Sequence, residues 1–458
     1  MKTRRAVEIG FLLVITASIA GAAWAGPQTG EQEIYPLSRR ATFGAVLLSR
    51  ADKQPGVQLG DLIPGGPAEK AGFAKGDVLT LFDGAIVETP MQIVTMLKQY
   101  GAYGAELVVP VDVTRGGAKI EKEVRLTPLP QESAPDFDIL YGTFAAKESR
   151  LRSIVTRPRV TGRQPAVLFL QGFSCTSYDL PYGDSAHVKE FLYGLTRAGY
   201  VTMRAEKFGV GDSDGPACTD IDYQTEVTGF EQALRTLKKL DFVDPNRIFL
   251  FGHSMGGTIG PIIANRAGGV RGIIVYGTTA RTWIEYDLEN MRRQEALDAT
   301  DPLEIDKDMR LDERFSFEAY VNHHDAKALL AIDPKFADLI SPDNKRFGRN
   351  NTFLQGLNDA DLAKEWEQYT GDALALWGKS DFITSALDHE ALVDAVNHAH
   401  PGHATFLELD GIDHLLDKAS SQQDSFEQIK SGKFGDFNSV LAETVKAWLD
   451  QRAKSATN

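Results

Sequence analysis

Residues 252–256, with the sequence Gly-His-Ser-Met-Gly, constrain the fold more than any other part of the chain. The apolar run before them predicts a short buried strand over 247–251, and the Ile- and Ala-rich residues 258–267 predict a helix. A G-x-S-x-G sequence between a strand and a helix places its serine on a sharp turn, with the hydroxyl clear of the backbone. We therefore predict that Ser254 is a nucleophile. The predicted turn comprises Gly252, His253 and Gly256.

A second G-x-S-x-G match, residues 211–215, has a different setting. No apolar helix pattern follows it, and Pro216 and Cys218 continue a loop. The aspartates on either side of Ser213 would also oppose a developing negative charge. We therefore interpret Ser213 as a loop residue.

The first 25 residues have the pattern of a secretory signal peptide. Three basic residues precede a mostly apolar stretch over 9–20, and an Ala-Trp-Ala sequence at 23–25 fits a cleavage site. We expect cleavage after Ala25 and a periplasmic or secreted protein with no membrane-spanning segment in the mature chain. The alternative is an uncleaved membrane anchor, although the apolar stretch is short for a span.

Composition narrows the possible partners. The formal net charge of −14 argues against binding to nucleic acid or to an anionic membrane surface. The sequence contains no metal-ligand spacing, and His323-His324 is interpreted as a surface pair, so no metal or cofactor is predicted.

Residues 43–130, after a polar linker over 26–42, form a separate block of short apolar runs and glycine-rich turns. The segment 66–79, Gly-Pro-Ala-Glu-Lys-Ala-Gly-Phe-Ala-Lys-Gly-Asp-Val-Leu, is its most specific part. The block resembles a PDZ domain of the bacterial type. The resemblance implies that a protein's C-terminal peptide could add as a strand to a sheet edge. The implied binding segment is Phe43, Gly44, Ala45 and Val46. The alternative is a spacer or a dimer contact.

After a proline-marked linker, residues 136–453 alternate short apolar strands with helices. This alternation predicts an α/β domain with a mostly parallel sheet that is covered on both faces. Residues 280–371 interrupt the rhythm with acidic, helical stretches around 284–299, 315–330 and 359–369. We predict a helical cap that is inserted between two sheet strands. The alternative is a surface insertion without contact to substrate.

A serine nucleophile needs a base, and the base needs a carboxylate that orients it. His414 follows the last predicted strand, whereas His403 precedes it, and His253 is expected to point away from the site. Asp381 follows the preceding strand. Asp410 and Asp413 are rivals, although each resembles a turn residue beside a glycine. We predict a catalytic triad of Ser254, Asp381 and His414.

Together with Gln171-Gly172 and the sequence Phe-Gly-Val-Gly-Asp-Ser over 208–213, these residues resemble the α/β-hydrolase fold, and in particular its cap-bearing, serine aminopeptidase-like members. The resemblance covers residues 136–453. Gln171 stands where many relatives have His, which bears on substrate class rather than on catalysis. The fold implies an oxyanion hole of two backbone amides, and we assign them to Phe173 and Met255.

The resemblance to this fold also bears on how the two cysteines are paired. Cys175 and Cys218 lie on loops after strands that are parallel neighbours in the fold, and an exported protein folds in an oxidising compartment. We predict a disulfide between them. The alternative is two unrelated buried thiols.

The sequence thus predicts an exported serine hydrolase that acts on carboxylic esters of small molecules through an acyl-enzyme. One alternative is a peptidase of the aminopeptidase or acyl-peptidase type, because the same triad serves both reactions. A second alternative is a PDZ-led binding protein with an idle hydrolase fold.

Overall fold

The computed structural model describes residues 37–50, 54–101, 107–182 and 187–454. The predicted signal peptide, residues 26–36 of the predicted linker and the last four residues lie outside the described residues. The described chain divides into two compact units. The smaller unit comprises residues 37–132 and Asp179–Tyr182, and the larger unit comprises Ser133–Tyr178 and residues 187–454.

The smaller unit is rich in β structure. Its strands are β1 (Ala41–Thr42), β2 (Ala45–Ser49), β3 (Val57–Leu62), β4 (Val78–Phe82), β5 (Ala85–Ile86), β6 (Leu107–Arg115) and β7 (Ala118–Pro128), and its helices are α1 (Pro67–Lys70) and α2 (Pro90–Gly101). The sheet has the order β1-β7-β6-β4-β3-β2, with β5 paired to β4. Alternate residues of β6 are buried, as expected for a sheet with one face on a core. Gly116 and Gly117 both have positive φ, 55° and 84°, which suits the two-residue turn between β6 and β7.

The larger unit is built on a mixed sheet. Its strands are β8 (Phe137–Ala146), β9 (Ser149–Pro158), β10 (Gln164–Leu170), β11 (Val201–Ala205), β12 (Val243–His253), β13 (Gly272–Tyr276), β16 (Asp372–Gly378) and β17 (Ala404–Leu409), while β14 (Lys345–Arg346) and β15 (Arg349–Asn350) form a separate hairpin. The main sheet has the order β17-β16-β13-β12-β10-β11-β9-β8. Strands β8 and β9 are antiparallel, and the six strands from β10 onward that belong to this sheet run parallel to one another.

Helices cover both faces of this sheet. They are α3 (His187–Arg197), α4 (Tyr223–Leu237), α5 (Gly256–Ala267), α6 (Trp283–Leu297), α7 (Pro302–Ser316), α8 (Ala326–Ile332), α9 (Asn351–Asn358), α10 (Leu362–Gln368), α11 (Ala386–Ala399), α12 (Gln422–Ser431) and α13 (Val440–Lys454). Two separate apolar clusters pack on the two faces, and every residue of β11 and β13 is buried. A parallel sheet that is buried on both faces requires such continuous apolar strands. The predicted α/β architecture is confirmed.

The segment between β13 and β16 contains helices α6 to α10 and the hairpin. The helical stretch predicted around 315–330 is interrupted in the structure: a π-helical turn over Phe317–Val321 continues α7, His323 adopts a φ of 55°, and α8 begins at Ala326. Helix α7 begins at Pro302, where a proline fits the first turn and the Asp301 side chain accepts a hydrogen bond from the Leu303 amide. Its buried side includes Asp312 and Ser316 beside Ile305, Met309 and Phe315, so the sequence pattern gives only a weak helix signal there.

Candidate active site

The turn after β12 carries Ser254 in a strained conformation. Its φ is 54°, a left-handed value that costs a non-glycine residue about 1–3 kcal/mol and that occurs most often at functional sites. Space around the turn is limited. A Cβ atom at position 256 would lie 2.0 Å from the Leu170 carbonyl oxygen, and one at position 252 would lie 2.6 Å from the Cα of Gly257. Glycine is therefore required at both positions, which lets the serine stand between β12 and α5.

Three side chains from the carboxyl ends of β12, β16 and β17 meet beside this turn. The Nε2 atom of His414 lies 3.0 Å from the Ser254 hydroxyl, and its Nδ1 atom lies 2.8 Å from Oδ2 of Asp381. The carboxyl ends of parallel strands share one edge of the sheet, which explains why residues 160 positions apart come together. The predicted triad is thus connected by two hydrogen-bonding contacts, from Ser254 to His414 and from His414 to Asp381.

Electrostatics fix the roles of the two imidazole nitrogens. Burial disfavours charge on Asp381, but the nearby His414 and hydrogen bonds from Thr384 outweigh it, so the pKa of the Asp381 carboxyl is lowered. Burial would by itself lower the pKa of His414, yet the Asp381 carboxylate outweighs that effect and raises it. An ionised carboxylate accepts a hydrogen bond from Nδ1–H, so the proton of the neutral ring stays on Nδ1 and the Nε2 lone pair faces the serine hydroxyl. The geometry therefore allows His414 to take the serine proton.

The carboxylate of Asp381 is itself held in place. Its Oδ1 accepts hydrogen bonds from the amides of Ile383 and Thr384, at 2.7 and 3.1 Å, and its Oδ2 accepts one from the Thr384 hydroxyl at 2.8 Å. Helix α6 of the insertion also reaches this loop. Arg293 donates to the carbonyls of Phe382 and Thr384 at 2.9 and 3.2 Å. The insertion thus fixes the loop that carries Asp381, a contact that the sequence pattern did not predict.

The rival carboxylates have other partners. Asp410 is 86% exposed and pairs with Lys379 at 2.8 Å. Asp413 is buried, which raises its pKa to about 6, and it accepts hydrogen bonds from the Leu415 and Asp417 amides and from the Ser425 hydroxyl. Asp413 therefore shapes the turn that carries His414. His403 lies 3.7 Å from Asp372, at the opposite end of the strands from Ser254.

The prediction that His253 points away from the site is wrong. His253 is buried at the end of β12, and its Nε2–H donates to the His414 carbonyl oxygen at 2.8 Å. The two imidazole rings are 5.1 Å apart between centroids. Burial lowers the pKa of His253 to about 4, so the ring is neutral at physiological pH. Its role is to hold the backbone of the triad histidine, and its position beside the serine was the signal that could have revealed it.

The second G-x-S-x-G match lies in a structural loop. Ser213 is fully buried, and its Oγ accepts a hydrogen bond from the Arg152 amide at 2.9 Å. The neighbouring Asp212 forms an ion pair with the Arg152 side chain at 3.1 Å, and Asp214 pairs with Arg150. The motif therefore connects this loop to β9, which agrees with the interpretation of Ser213 as a loop residue.

The loop after β10 lies directly against the nucleophile. A Cβ atom on Gly172 would come within 2.9 Å of the Ser254 Cβ atom, so only glycine fits there. Phe173 follows with 8% of its surface exposed, and its ring stacks on that of Trp283 from α6 with a centroid distance of 6.3 Å. Met255 stands at the start of α5. Both predicted oxyanion residues are thus adjacent to residues that touch or carry the serine.

Cys175 and Cys218 form a disulfide, with their Cα atoms 5.7 Å apart. Strands β10 and β11 are parallel neighbours, so the loops that follow them leave the same edge of the sheet. The bridge therefore anchors the loop that begins with Gln171 and contains Phe173, two positions beyond Phe173.

The segment implied for peptide binding lies in the smaller unit. Phe43 is buried, Gly44 has a φ of 77°, and Ala45 and Val46 begin β2, which is an edge strand of its sheet. Val46 and Leu48 are 45% and 43% exposed. Within the described sheet, β2 pairs on one side with β3 and carries these two apolar side chains.

Two further searches concern the described residues only. In that part of the chain, no helix is long and apolar enough to cross a membrane. The same residues contain no group of three or more His, Cys, Asp or Glu side chains that could hold a metal ion.

Comparison with known proteins places this geometry in a family. Esterase EstD from Thermotoga maritima is 22% identical over 279 residues, and the alignment spans 61% of this chain and 61% of that relative's length. Among solved structures, Est1E from Butyrivibrio proteoclasticus aligns over 68% of this chain and 98% of its own, with a TM-score of 0.44 and 15% identity. The Pyrococcus furiosus esterase Pf2001 aligns over 70% of this chain and 90% of its own, with a TM-score of 0.42 and 13% identity. Residues 183–416, about half of the chain, match the family described as "Serine aminopeptidase, S33". The chain therefore belongs to this serine aminopeptidase family of α/β-hydrolases.

Proposed function

We propose that the chain is an exported serine hydrolase that cleaves carboxylic esters through an acyl-enzyme intermediate. The observation that carries the proposal is the chain of contacts from Ser254 to His414, at 3.0 Å, and from His414 to Asp381, at 2.8 Å. A serine hydroxyl becomes a useful nucleophile only beside a base whose tautomer is fixed, and this arrangement supplies both.

The proposed reaction has two halves. Ser254 Oγ attacks the ester carbon while His414 Nε2 takes its proton, and the amides of Phe173 and Met255 stabilise the oxyanion that forms. The intermediate collapses, the C–O bond to the leaving alcohol breaks, and His414 returns the proton to that alcohol. Water then attacks the acyl-enzyme with His414 again as the base, which releases the acid and restores Ser254.

The choice between esters and peptides rests on the relatives. Ester hydrolysis is favoured because the curated relative Esterase EstD carries that activity in its name. The description of the matched family, a serine aminopeptidase, favours peptide hydrolysis as the second candidate. The two share the triad chemistry and differ in the leaving group.

A substrate panel tests the proposal on the purified protein. A fluorophosphonate should label Ser254, and turnover of p-nitrophenyl esters should exceed turnover of aminoacyl p-nitroanilides, because p-nitrophenoxide is a better leaving group than the anion of p-nitroaniline. Faster turnover of the aminoacyl amides would favour the peptidase. Absence of both labelling and turnover would contradict a hydrolase of either kind.

We also propose that the smaller unit is a PDZ domain that binds the C-terminal peptide of another protein. Two features support it: β2 is an edge strand of its sheet, and its side chains Val46 and Leu48 expose apolar surface. A terminal carboxylate would replace the Thr42 hydroxyl as the acceptor of the Gly44 N–H, which donates to that hydroxyl at 3.1 Å.

Deletion of residues 26–130 should leave a soluble protein that keeps most of its small-ester activity, because the triad and its supporting contacts all belong to the larger unit. Circular dichroism would establish that the truncated protein is folded, and initial rates on p-nitrophenyl acetate would be compared with the full chain. A folded truncation without small-ester turnover would show that the two units act as one catalytic unit.

A further inference from the structure

Three charged side chains that lie outside the triad are buried together in the larger unit. Nζ of Lys207 lies 2.8 Å from Oε1 of Glu226, and Nη2 of Arg349 lies 2.8 Å from Oε2 of the same carboxylate. Each of the three side chains is at most 2% exposed. We call them the buried ion cluster.

The cluster joins three separate parts of the chain. Lys207 follows β11, Glu226 lies on α4, and Arg349 lies on β15 in the insertion. Burying such charges costs several kcal/mol for each ion, and apolar residues of similar volume often stabilise a fold better. Burial lowers the pKa of Lys207 to about 8 although Glu226 opposes the shift. Stability alone therefore gives a poor account of the cluster.

Both cations donate to the loop beside the nucleophile. Lys207 Nζ donates to the Gly172 carbonyl oxygen at 2.6 Å, and Arg349 Nη1 donates to the Phe173 carbonyl oxygen at 2.9 Å. These are successive carbonyls of one loop, so the peptide planes on both sides of the Phe173 Cα are fixed. Glu226 bridges the two donors and holds them at the required separation.

The first of these bonds has a geometric consequence. In a trans peptide, the carbonyl of one residue and the N–H of the next point in opposite directions. Because the Gly172 carbonyl points towards Lys207, the Phe173 N–H of the same peptide points away from Lys207. Gly172 itself is packed against Ser254. An oxyanion donor must hold its direction before charge develops.

We propose that Lys207, Glu226 and Arg349 are positioning residues that orient the Phe173 amide for the oxyanion. The inference rests on the proposed function, since it assigns a role within the same site. It also gives the insertion a part in catalysis. Arg349, which belongs to the chain segment between β13 and β16, donates to the Phe173 carbonyl and so helps to fix the loop that supplies the oxyanion amide.

Steady-state kinetics of Lys207→Met and Glu226→Gln test the proposal. Loss of one oxyanion donor costs about 10²–10³ in kcat, so a misdirected donor should cost about 10- to 100-fold, with KM changed by less than about threefold. Affinity for a trifluoromethyl ketone, which mimics the tetrahedral intermediate, should fall by the same factor as kcat. Arg349→Lys, which keeps a charged donor, should lose less than Arg349→Met.

Asp212→Asn is the matched control. Asp212 forms another buried ion pair, with Arg152 at 3.1 Å, and it is not one of the residues assigned above to the oxyanion hole or the triad. Asp212→Asn should lower the thermal stability by about as much as Glu226→Gln does, and it should leave kcat and the affinity for the ketone analogue unchanged. Glu226→Gln is nearly isosteric, so it decides the matter if Lys207→Met fails to fold.

Two results would overturn the proposal separately from the function. A folded Glu226→Gln variant with wild-type kcat and analogue affinity would exclude a positioning role for the buried ion cluster. An equal loss of kcat in Glu226→Gln and in Asp212→Asn would exclude it as well. A wild-type protein that neither hydrolyses esters or amides nor reacts with a fluorophosphonate overturns the proposed function and this inference together.

Discussion

Replacement of Ser254 by Ala should lower kcat by about 10⁴- to 10⁶-fold, the range expected when a triad loses its nucleophile. The variant should keep the fold, because the hydrogen bond described for the Ser254 hydroxyl is with His414, the Cβ atom that packs against Gly172 is retained, and alanine tolerates the turn about as well as serine. Initial rates on p-nitrophenyl acetate and fluorophosphonate labelling followed by peptide mapping would measure the effect.

Ser213→Ala provides the matched comparison, since it changes the same residue type in the same short motif. It removes an acceptor of the Arg152 amide, which should lower the free energy of unfolding by about 1–3 kcal/mol and leave kcat near the wild-type value. A fluorophosphonate adduct on Ser213, or a larger kcat loss there than at position 254, would reverse the assignment of the nucleophile.

Asp381→Asn should lower kcat by about 10⁴-fold, as in other triads that lose this carboxylate. An amide can donate to Nδ1 and so favour the tautomer whose Nε2 carries the proton, which prevents His414 from accepting the serine proton. The pH profile adds a second readout. The Asp381 charge raises the pKa of His414, so its removal should move the acidic limb of kcat/KM to lower pH.

Asp410→Asn and Asp413→Asn serve as controls for the neighbouring carboxylates. Asp410 is exposed, and its replacement should leave kcat and stability near the wild-type values. Asp413 shapes the turn of His414, so Asp413→Asn should act mainly on stability. A larger kcat loss in either control than in Asp381→Asn would show that the acid of the triad is assigned to the wrong strand end.

The parts of the site that the sequence could predict are those with local signals. The apolar strand, the glycines and the helix around Ser254 are contiguous, and Asp381 and His414 each follow a recognisable strand. The rest depends on contacts between distant segments: Glu226 meets Arg349 over 123 positions, and His253 meets the His414 backbone over 161. No periodicity marks such pairs. Helix α7 gives a weak signal for a local reason, because its buried side contains Asp312 and Ser316 among the apolar residues.

The disulfide makes the loop that contains Phe173 dependent on the redox conditions during folding, a dependence that the triad does not share. Cys175 follows Phe173 by two positions, and Cys218 precedes α4, the helix that carries Glu226. The bridge closes a segment with a separation of 43 residues, for which chain entropy suggests a stabilisation of about 4 kcal/mol. A chain that folds where thiols stay reduced lacks this closure, and one that folds under oxidising conditions gains it. Maturation of the loop that contains Phe173 is thereby tied to the redox state in which the chain folds.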